Sequence, residues 1–269
     1  MMDNRPIGVF DSGLGGLTVV KELMDIMPNE SIVYFGDTAR VPYGSKSKET
    51  VIKFSTQAVN FLRTQDVKAV VIACNTASAV SVETLREKFD IPVFEVIESG
   101  AKEAVNVTKN KKVGIIATEG TVLSGAYNKF INNIDSSIEI FSQACSLFVP
   151  IVEDGWQDTG IAYIVAEKYL ENIKKQGVDT LIMGCTHYPH LKRVLKAIMG
   201  DGVEIVNPAR RTALTVKEIL ENRGICAIEN NNARYKYYSS DNVEKFKNLG
   251  TSFLNRDVTY AEKINIEEY

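Results

Sequence analysis

Residues 70–76 read Val-Val-Ile-Ala-Cys-Asn-Thr, and residues 180–187 read Thr-Leu-Ile-Met-Gly-Cys-Thr-His. Each stretch is an apolar run that ends on a small residue, a cysteine and a polar side chain. Such a run is typical of a buried strand in a parallel sheet, and open α/β sheets bind ligands beyond the carboxyl ends of their strands. The repetition therefore predicts that Cys74 and Cys185 face one pocket as two proton-transfer groups.

Apolar strands alternate with amphipathic helices along the chain, which predicts an α/β fold with doubly wound parallel sheets. The first predicted elements are strands at 7–10, 32–35 and 69–73 and helices at 17–27 and 50–64. The pattern then restarts, because 112–121 resembles 6–13, 138–141 resembles 32–35 and Cys185 matches Cys74, at separations of 106 to 111 residues. This regularity predicts two similar lobes related by a pseudo-twofold axis, with the active site in the cleft between them.

The duplication also predicts how the chain divides. Residues 1–97 together with 209–269 are expected to form the first lobe, which carries Asp11, Asp37 and Cys74. Residues 98–208 are expected to form the second lobe, which carries Glu153, Cys185 and His187. The basic and aromatic run at 234–238 is expected to add a strand to a sheet rather than to bind nucleic acid.

Composition narrows the function classes. With 269 residues, 45% of them hydrophobic, and a formal net charge of -3, the chain can bury a large core and has no general basic field for nucleic acid. No apolar run approaches the roughly 18 residues of a membrane span, and the first residues lack a signal-peptide layout, so a cytoplasmic protein without membrane contact is expected. The four cysteines form no Cys-x-x-Cys pair, so no metal site is expected.

The glycine-rich turn at 11–16, Asp-Ser-Gly-Leu-Gly-Gly, follows a strand and opens a helix. It has three interpretations: a dinucleotide site with Asp37 as the ribose-binding acid, a site for a small carboxylate at the helix N-terminus, or only a tight turn. Thr18 replaces the third glycine of the dinucleotide pattern, and Asp11 adds a negative charge where pyrophosphate would lie. The small carboxylate is therefore favoured over a nicotinamide nucleotide.

Two further features have a structural alternative. The polar loop at 37–44 offers Asp37 to a substrate ammonium group and Tyr43 and Gly44 as hydrogen-bond donors, but an ordinary solvated turn has the same composition. A lone cysteine at a strand end usually packs as a small hydrophobe. The matched context favours catalysis for Cys74 and Cys185, whereas Cys145 and Cys226 are expected to be structural.

Four motifs together resemble the glutamate racemases. They are Gly-Val-Phe-Asp-Ser-Gly at 8–13, Phe-Gly-Asp-Thr-Ala-Arg-Val-Pro-Tyr-Gly at 35–44, Ala-Cys-Asn-Thr-Ala-Ser-Ala at 73–79 and Gly-Cys-Thr-His-Tyr-Pro at 184–189. The resemblance extends from about Ile7 to Pro208 and implies interconversion of L- and D-glutamate without pyridoxal phosphate, metal or nicotinamide, to supply D-glutamate for peptidoglycan. It departs from the family at His190, where an apolar residue is expected, and at Asn207, where an acidic residue is common.

The resemblance also implies residue roles. Inversion of a stereocentre needs a base on one face and an acid on the other, and the family pattern makes Cys185 the base and Cys74 the acid for L-glutamate, with the roles exchanged for D-glutamate. His187 is implied to assist Cys185, and Asp11 to assist Cys74. Asp37 and Glu153 match acidic residues of the same machinery, which either hold the substrate ammonium or orient a thiol.

The implied substrate contacts are Asp11, Ser12, Pro42, Tyr43, Gly44, Asn75, Thr76, Thr186 and His187. Thr118 and Thr121 are either further contacts or helix caps. The resemblance also implies a homodimer that acts on a small molecule. Alternatives are a racemase of aspartate or another small acid, a non-catalytic amino-acid-binding protein, and a nicotinamide-dependent enzyme or thiol redox sensor.

Overall fold

Buried strands rich in β-branched and aromatic residues organise the chain into two parallel sheets. The computed structural model describes residues 2–269, so Met1, which was assigned to the first lobe, lies outside the described residues. The strands are β1 (Ile7–Asp11), β2 (Ile32–Gly36), β3 (Ala69–Ile72), β4 (Val93–Glu95), β5 (Lys112–Ala117), β6 (Glu139–Ala144), β7 (Thr180–Gly184), β8 (Glu204–Val206), β9 (Tyr235–Ser239) and β10 (Glu262–Lys263).

The two sheets repeat one strand order. The first sheet runs β10-β9-β2-β1-β3-β4, and the second runs β6-β5-β7-β8. The segment β2-β1-β3-β4 therefore corresponds strand for strand to the whole second sheet, with parallel pairing throughout. This correspondence confirms the predicted α/β fold with two similar doubly wound halves.

Helices cover the faces of both sheets. They are α1 (Leu17–Ile26), α2 (Lys48–Thr64), α3 (Asn75–Lys88), α4 (Val96–Val107), α5 (Glu119–Ser124), α6 (Ala126–Ile134), α7 (Phe148–Glu153), α8 (Gly160–Lys175), α9 (Lys192–Met199), α10 (Pro208–Asn222) and α11 (Val243–Leu254), with short 3-10 turns at Tyr43–Ser45, Tyr188–Leu191 and Ile266–Glu268. The predicted elements of the first half exist, and most of their ends agree within one residue. The exception is α2, which begins two residues before the predicted start because Ser47 caps it by accepting from the Thr50 N–H group.

The end of the chain returns to the first sheet. Strand β9 pairs in parallel with β2, and β10 pairs with β9. The basic and aromatic run therefore forms an added strand, as the sequence predicted, with Tyr237 and Tyr238 buried. No helix within residues 2–269 combines the length and the apolar character that a bilayer crossing requires.

Candidate active site

Loops at the carboxyl ends of the strands in both sheets enclose one small cavity of about 60 Å³. Twelve of the residues that the sequence pointed to line it: Ser12, Pro42, Tyr43, Gly44, Cys74, Asn75, Thr76, Thr118, Glu153, Cys185, Thr186 and His187. Gly13 and Val41, which belong to the motifs at 8–13 and 35–44, line it as well. Val149 also lines it, although no sequence signal marked it. Asp11, Asp37 and Thr121 do not line the cavity, but each contacts at least one side chain that does.

Cys74 caps the N-terminus of α3, two residues after the end of β3. Its Sγ accepts a hydrogen bond from the Ala77 N–H group (3.4 Å) and donates one to Ser12 Oγ (3.5 Å). Burial and the charge of Asp11 raise the pKa of the Cys74 thiol to about 12, although the contacts with Ala77 and Ser12 oppose the shift. Cys74 is therefore a neutral thiol in the substrate-free site.

Cys185 follows β7 at the corresponding place in the other sheet and has a different partner. Its Sγ lies 3.9 Å from Nδ1 of His187, and Nε2 of His187 lies 3.3 Å from Oε1 of Glu153. Burial alone would lower the pKa of His187, but the contacts with Cys185 and Glu153 and the charge of Asp11 raise it to about 10. His187 is therefore a cation at neutral pH, held between a sulfur and a carboxylate.

Asp11 occupies the helix terminus that the sequence left open to an external anion. Its carboxylate accepts from the Gly13 N–H group (3.0 Å) and from Thr186 Oγ1 (3.4 Å). Burial raises the pKa of Asp11, and His187 together with the Gly13 and Gly16 N–H groups partly offsets that shift. The Gly13 and Gly16 N–H groups before α1 thus bind the protein's own carboxylate. They are not free for a nucleotide pyrophosphate, nor for the small external carboxylate that the sequence favoured at this turn.

The glycines of the same turn allow the two halves to approach closely. A Cβ at Gly15 would collide with Thr186 Oγ1 and would lie 2.6 Å from Nδ1 of His187. Gly44 packs in the same way against Thr118, whose Cβ would lie 2.9 Å from a Cβ at Gly44. The turn at 11–16 therefore packs directly against Thr186 and His187, which follow Cys185. A turn that served only to reverse the chain would not need this close approach.

Hydroxyl and amide groups connect the halves beside Cys74. Thr76 Oγ1 lies 2.9 Å from Thr118 Oγ1 and 3.3 Å from Thr121 Oγ1, and Thr118 also caps α5. Tyr127 donates from its hydroxyl to Asn75 Oδ1 at 2.7 Å, and Asn75 lines the cavity. Thr118 thus caps α5 and lines the cavity, and Thr121 contacts the other two hydroxyls from behind the lining.

Asp37 is fully buried beneath the loop at 42–44, which forms one wall of the cavity. The hydroxyl groups of Tyr43 and Ser240 and the guanidinium of Arg40 donate to its two oxygens. All of these donors are groups of the protein itself. The carboxylate of Asp37 is therefore placed to hold the loop in position.

The two departures from the family pattern have separate environments. Asn207 caps α10, because its Oδ1 accepts from the Ala209 N–H group at 3.1 Å. The His190 ring lies 4.3 Å from the ring of Phe253, and burial together with the charge of His187 lowers the pKa of His190 to about 4. His190 is therefore neutral near physiological pH.

Comparison with known proteins agrees with this architecture. Residues 17–215 match the family model for Asp/Glu/Hydantoin racemase. The glutamate racemase of Geobacter metallireducens is 45% identical over 98% of this chain and 97% of its own length. The crystal structure of glutamate racemase isoform RacE1 from Bacillus anthracis superposes with a TM-score of 0.94 at 38% identity, over 97% of this chain and 98% of that one. The structure of the Francisella tularensis glutamate racemase in complex with D-glutamate gives 0.93 at 40% identity and covers both chains fully.

Proposed function

This chain belongs to the Asp/Glu/hydantoin racemase family, and we propose that it interconverts L- and D-glutamate by proton transfer between the substrate α-carbon and two thiols. The observation that carries the proposal is the placement of Cys74 and Cys185 after corresponding strands of the two sheets, both lining one cavity. The D-glutamate complex of the Francisella relative, which has the same fold over its full length, supports glutamate as the substrate.

For L-glutamate the chain's own residues supply a base and an acid. The positive charge of His187 stabilises a thiolate on Cys185. This thiolate removes the α-proton and becomes a thiol, and the electron pair stays on the substrate as a planar carbanion. Cys74, a neutral thiol in the resting site, gives its proton to the opposite face and becomes a thiolate. The product is D-glutamate, and the reverse reaction exchanges the roles.

The carbanion needs hydrogen-bond donors because the α-proton of an amino acid is a very weak acid. The Asn75 amide and the hydroxyls of Thr76 and Ser12, which belong to residues that line the cavity, can supply such donors. Asp11 supports the Cys74 side by accepting from the Gly13 N–H group, which fixes the turn that carries Ser12 beside Cys74. Glu153 supports the Cys185 side by holding the His187 cation.

The wider role of the reaction follows from its product. We propose that the enzyme is an isomerase of the cytoplasm, acts as a homodimer, and supplies D-glutamate for peptidoglycan and so for the cell wall and cell shape. The L-glutamate complex of the Escherichia coli relative, whose structure also holds the activator UDP-MurNAc-ala, supports a link to cell-wall precursors.

Optical activity tests the proposed reaction. Purified protein is incubated with L-glutamate or with L-aspartate, without added cofactor. We expect the rotation of glutamate to decay to zero and that of aspartate to persist. Decay with aspartate alone would contradict the proposed substrate, and decay with neither would contradict the proposed activity. We expect Cys74→Ser and Cys185→Ser to be inactive. Cys226→Ser, which changes a cysteine outside the cavity, is their control and should retain activity.

A further inference from the structure

Tyr43, which lines the cavity, is held in place by a buried carboxylate behind it. It is buried, and its hydroxyl donates to Oδ2 of Asp37 at 2.5 Å. The same oxygen accepts from Nε of Arg40 at 2.7 Å, and Oδ1 of Asp37 accepts from the Ser240 hydroxyl at 2.8 Å. Pro42 and Gly44, which line the cavity on either side of Tyr43, therefore depend on the position of one buried carboxylate.

Arg40 connects that carboxylate to two more distant segments. Its side chain is only 11% exposed, and the guanidinium carbon lies 3.9 Å from the ring centre of Phe54. Nη1 donates to Oε1 of Gln57 at 2.6 Å and to Oε1 of Glu267 at 2.9 Å. The planar guanidinium thus makes directed hydrogen bonds to Gln57 on α2, to Asp37 before the loop at 42–44, and to Glu267 near the end of the chain.

Glu267 reaches Arg40 from a fixed segment. Its second oxygen accepts from Nε2 of Gln57 at 3.3 Å. The preceding Ile266 is buried, and the ring of Tyr269 packs against Phe61 at 5.2 Å between centres. Asn60 also donates to the Tyr269 carbonyl oxygen at 3.0 Å. Residues 266–269 are therefore docked on α2 and present a carboxylate to the guanidinium.

We propose that Glu267 is a positioning residue for the substrate. It holds the Arg40 guanidinium in the orientation that binds Asp37, and Asp37 in turn fixes Tyr43 and the cavity wall at 42–44. Glu267 does not line the cavity, so its effect reaches the substrate only through this chain of contacts. The inference rests on the proposed function for the identity of the substrate.

The test compares Glu267→Gln with Glu268→Gln. Both variants remove one negative charge from the same 3-10 turn, but the Glu268 side chain contacts Asn265 rather than Arg40. We expect Glu267→Gln to raise the KM for both glutamate enantiomers about threefold to fivefold, with kcat within about twofold, because a half-exposed ion pair is lost. We expect Glu268→Gln to match the wild type.

Hydrogen exchange supplies a readout that does not require activity. The amides of residues 38–46 should exchange faster in Glu267→Gln than in the wild type, and Glu268→Gln should leave them unchanged. An Arg40→Met variant should show both effects, and adding Glu267→Gln to it should change neither KM nor exchange further, because the contact is already absent.

Two results would overturn the inference. One is equal KM and equal exchange in Glu267→Gln and Glu268→Gln. The other is a loss of stability in Glu267→Gln with KM and loop exchange unchanged, which would indicate a purely structural role. If the wild type does not convert glutamate, the proposed function fails, while the exchange comparison still decides whether Glu267 fixes the loop.

Discussion

Oε1 of Glu153 lies 3.3 Å from Nε2 of His187, and the other nitrogen of that ring faces the Cys185 sulfur. The second oxygen of Glu153 is 3.3 Å from Nζ of Lys245 on α11. Contact with His187 lowers the pKa of Glu153 even though burial opposes the shift. A carboxylate that stays ionised therefore maintains the cation beside one of the two thiols.

Replacing Glu153 should shift the pH dependence of the reaction. The charged or titratable groups around His187 are Cys185, Asp11, His190 and Glu153, and its pKa is about 10. Glu153→Gln removes a group that raises this pKa, so His187 should lose its proton at a lower pH. We expect the alkaline limb of the kcat/KM profile to move to lower pH. The profile is measured with each enantiomer, and the two should agree because the equilibrium constant is one.

The neighbouring Asp154 provides the control for that experiment. Its side chain is exposed, so Asp154→Asn removes a charge of the same sign one residue away. Its profile should coincide with that of the wild type. Coinciding alkaline limbs for the wild type and Glu153→Gln would contradict the assigned role of Glu153.

A methyl group at Gly15 should disrupt the contact between the halves. Its Cβ would collide with the Thr186 hydroxyl and lie 2.6 Å from Nδ1 of His187, where Cys185 has its partner. We expect Gly15→Ala to lower kcat/KM by about 100-fold, which is the lower range for the loss of a positioned proton-transfer group. Steady-state kinetics with both enantiomers measure the effect.

Gly160→Ala is the matched substitution for Gly15→Ala. No atom lies within 4 Å of a Cβ built at Gly160, the first residue of α8. It should retain wild-type kinetics. Comparable activity in the two variants would show that the close approach at Gly15 is not needed for the reaction.

The local sequence pattern was sufficient to predict the position of some site residues but not of others. Cys74 and Cys185 were predictable because each lies within two residues of the end of a buried strand, and a parallel sheet brings such positions to one edge. The surroundings of Asp37 were not predictable, because its partner Ser240 lies 203 residues further along the chain. Ser240 directly follows β9, which pairs with β2. The sequence offered Asp37 as a direct substrate group, whereas its contacts suit a support for the loop.

His190 should lower the stability of the folded protein. Its Nε2 is buried without a hydrogen-bond partner in the described part of the chain, and the ring packs on Phe253. We expect His190→Leu to raise the free energy of unfolding by about 1 kcal/mol near pH 7.5, the typical cost of an unpaired buried polar group. Urea denaturation measures this difference.

The same substitution has a predictable pH dependence. The pKa of His190 is about 4 in the folded protein and about 6.5 in the unfolded chain. Between these values the unfolded chain binds more protons, so the wild type loses stability as the pH falls from 6.5 toward 4. The advantage of His190→Leu should therefore be larger at pH 5 than at pH 7.5. An equal difference at both values would contradict the assigned environment of His190.

Two further residues at the site were missed because no local sequence pattern marks them. Lys245 lies on α11, far along the chain from Glu153, and surface lysines on amphipathic helices carry no distinguishing mark. Val149 lines the cavity from α7, where an apolar residue indicates only packing. Both positions became evident only once the two halves and the returning end of the chain were in place.

In the proposed reaction one thiol takes the α-proton and a different thiol gives one back, and the early conversion of L-glutamate in deuterated water distinguishes the two. Cys74 carries a solvent deuteron in that medium, while Cys185 receives the substrate's own protium. We expect D-glutamate to form with deuterium at the α-carbon while the remaining L-glutamate keeps its protium. D-glutamate that retains the α-protium, or deuterium entering L-glutamate as fast as D-glutamate forms, would contradict it.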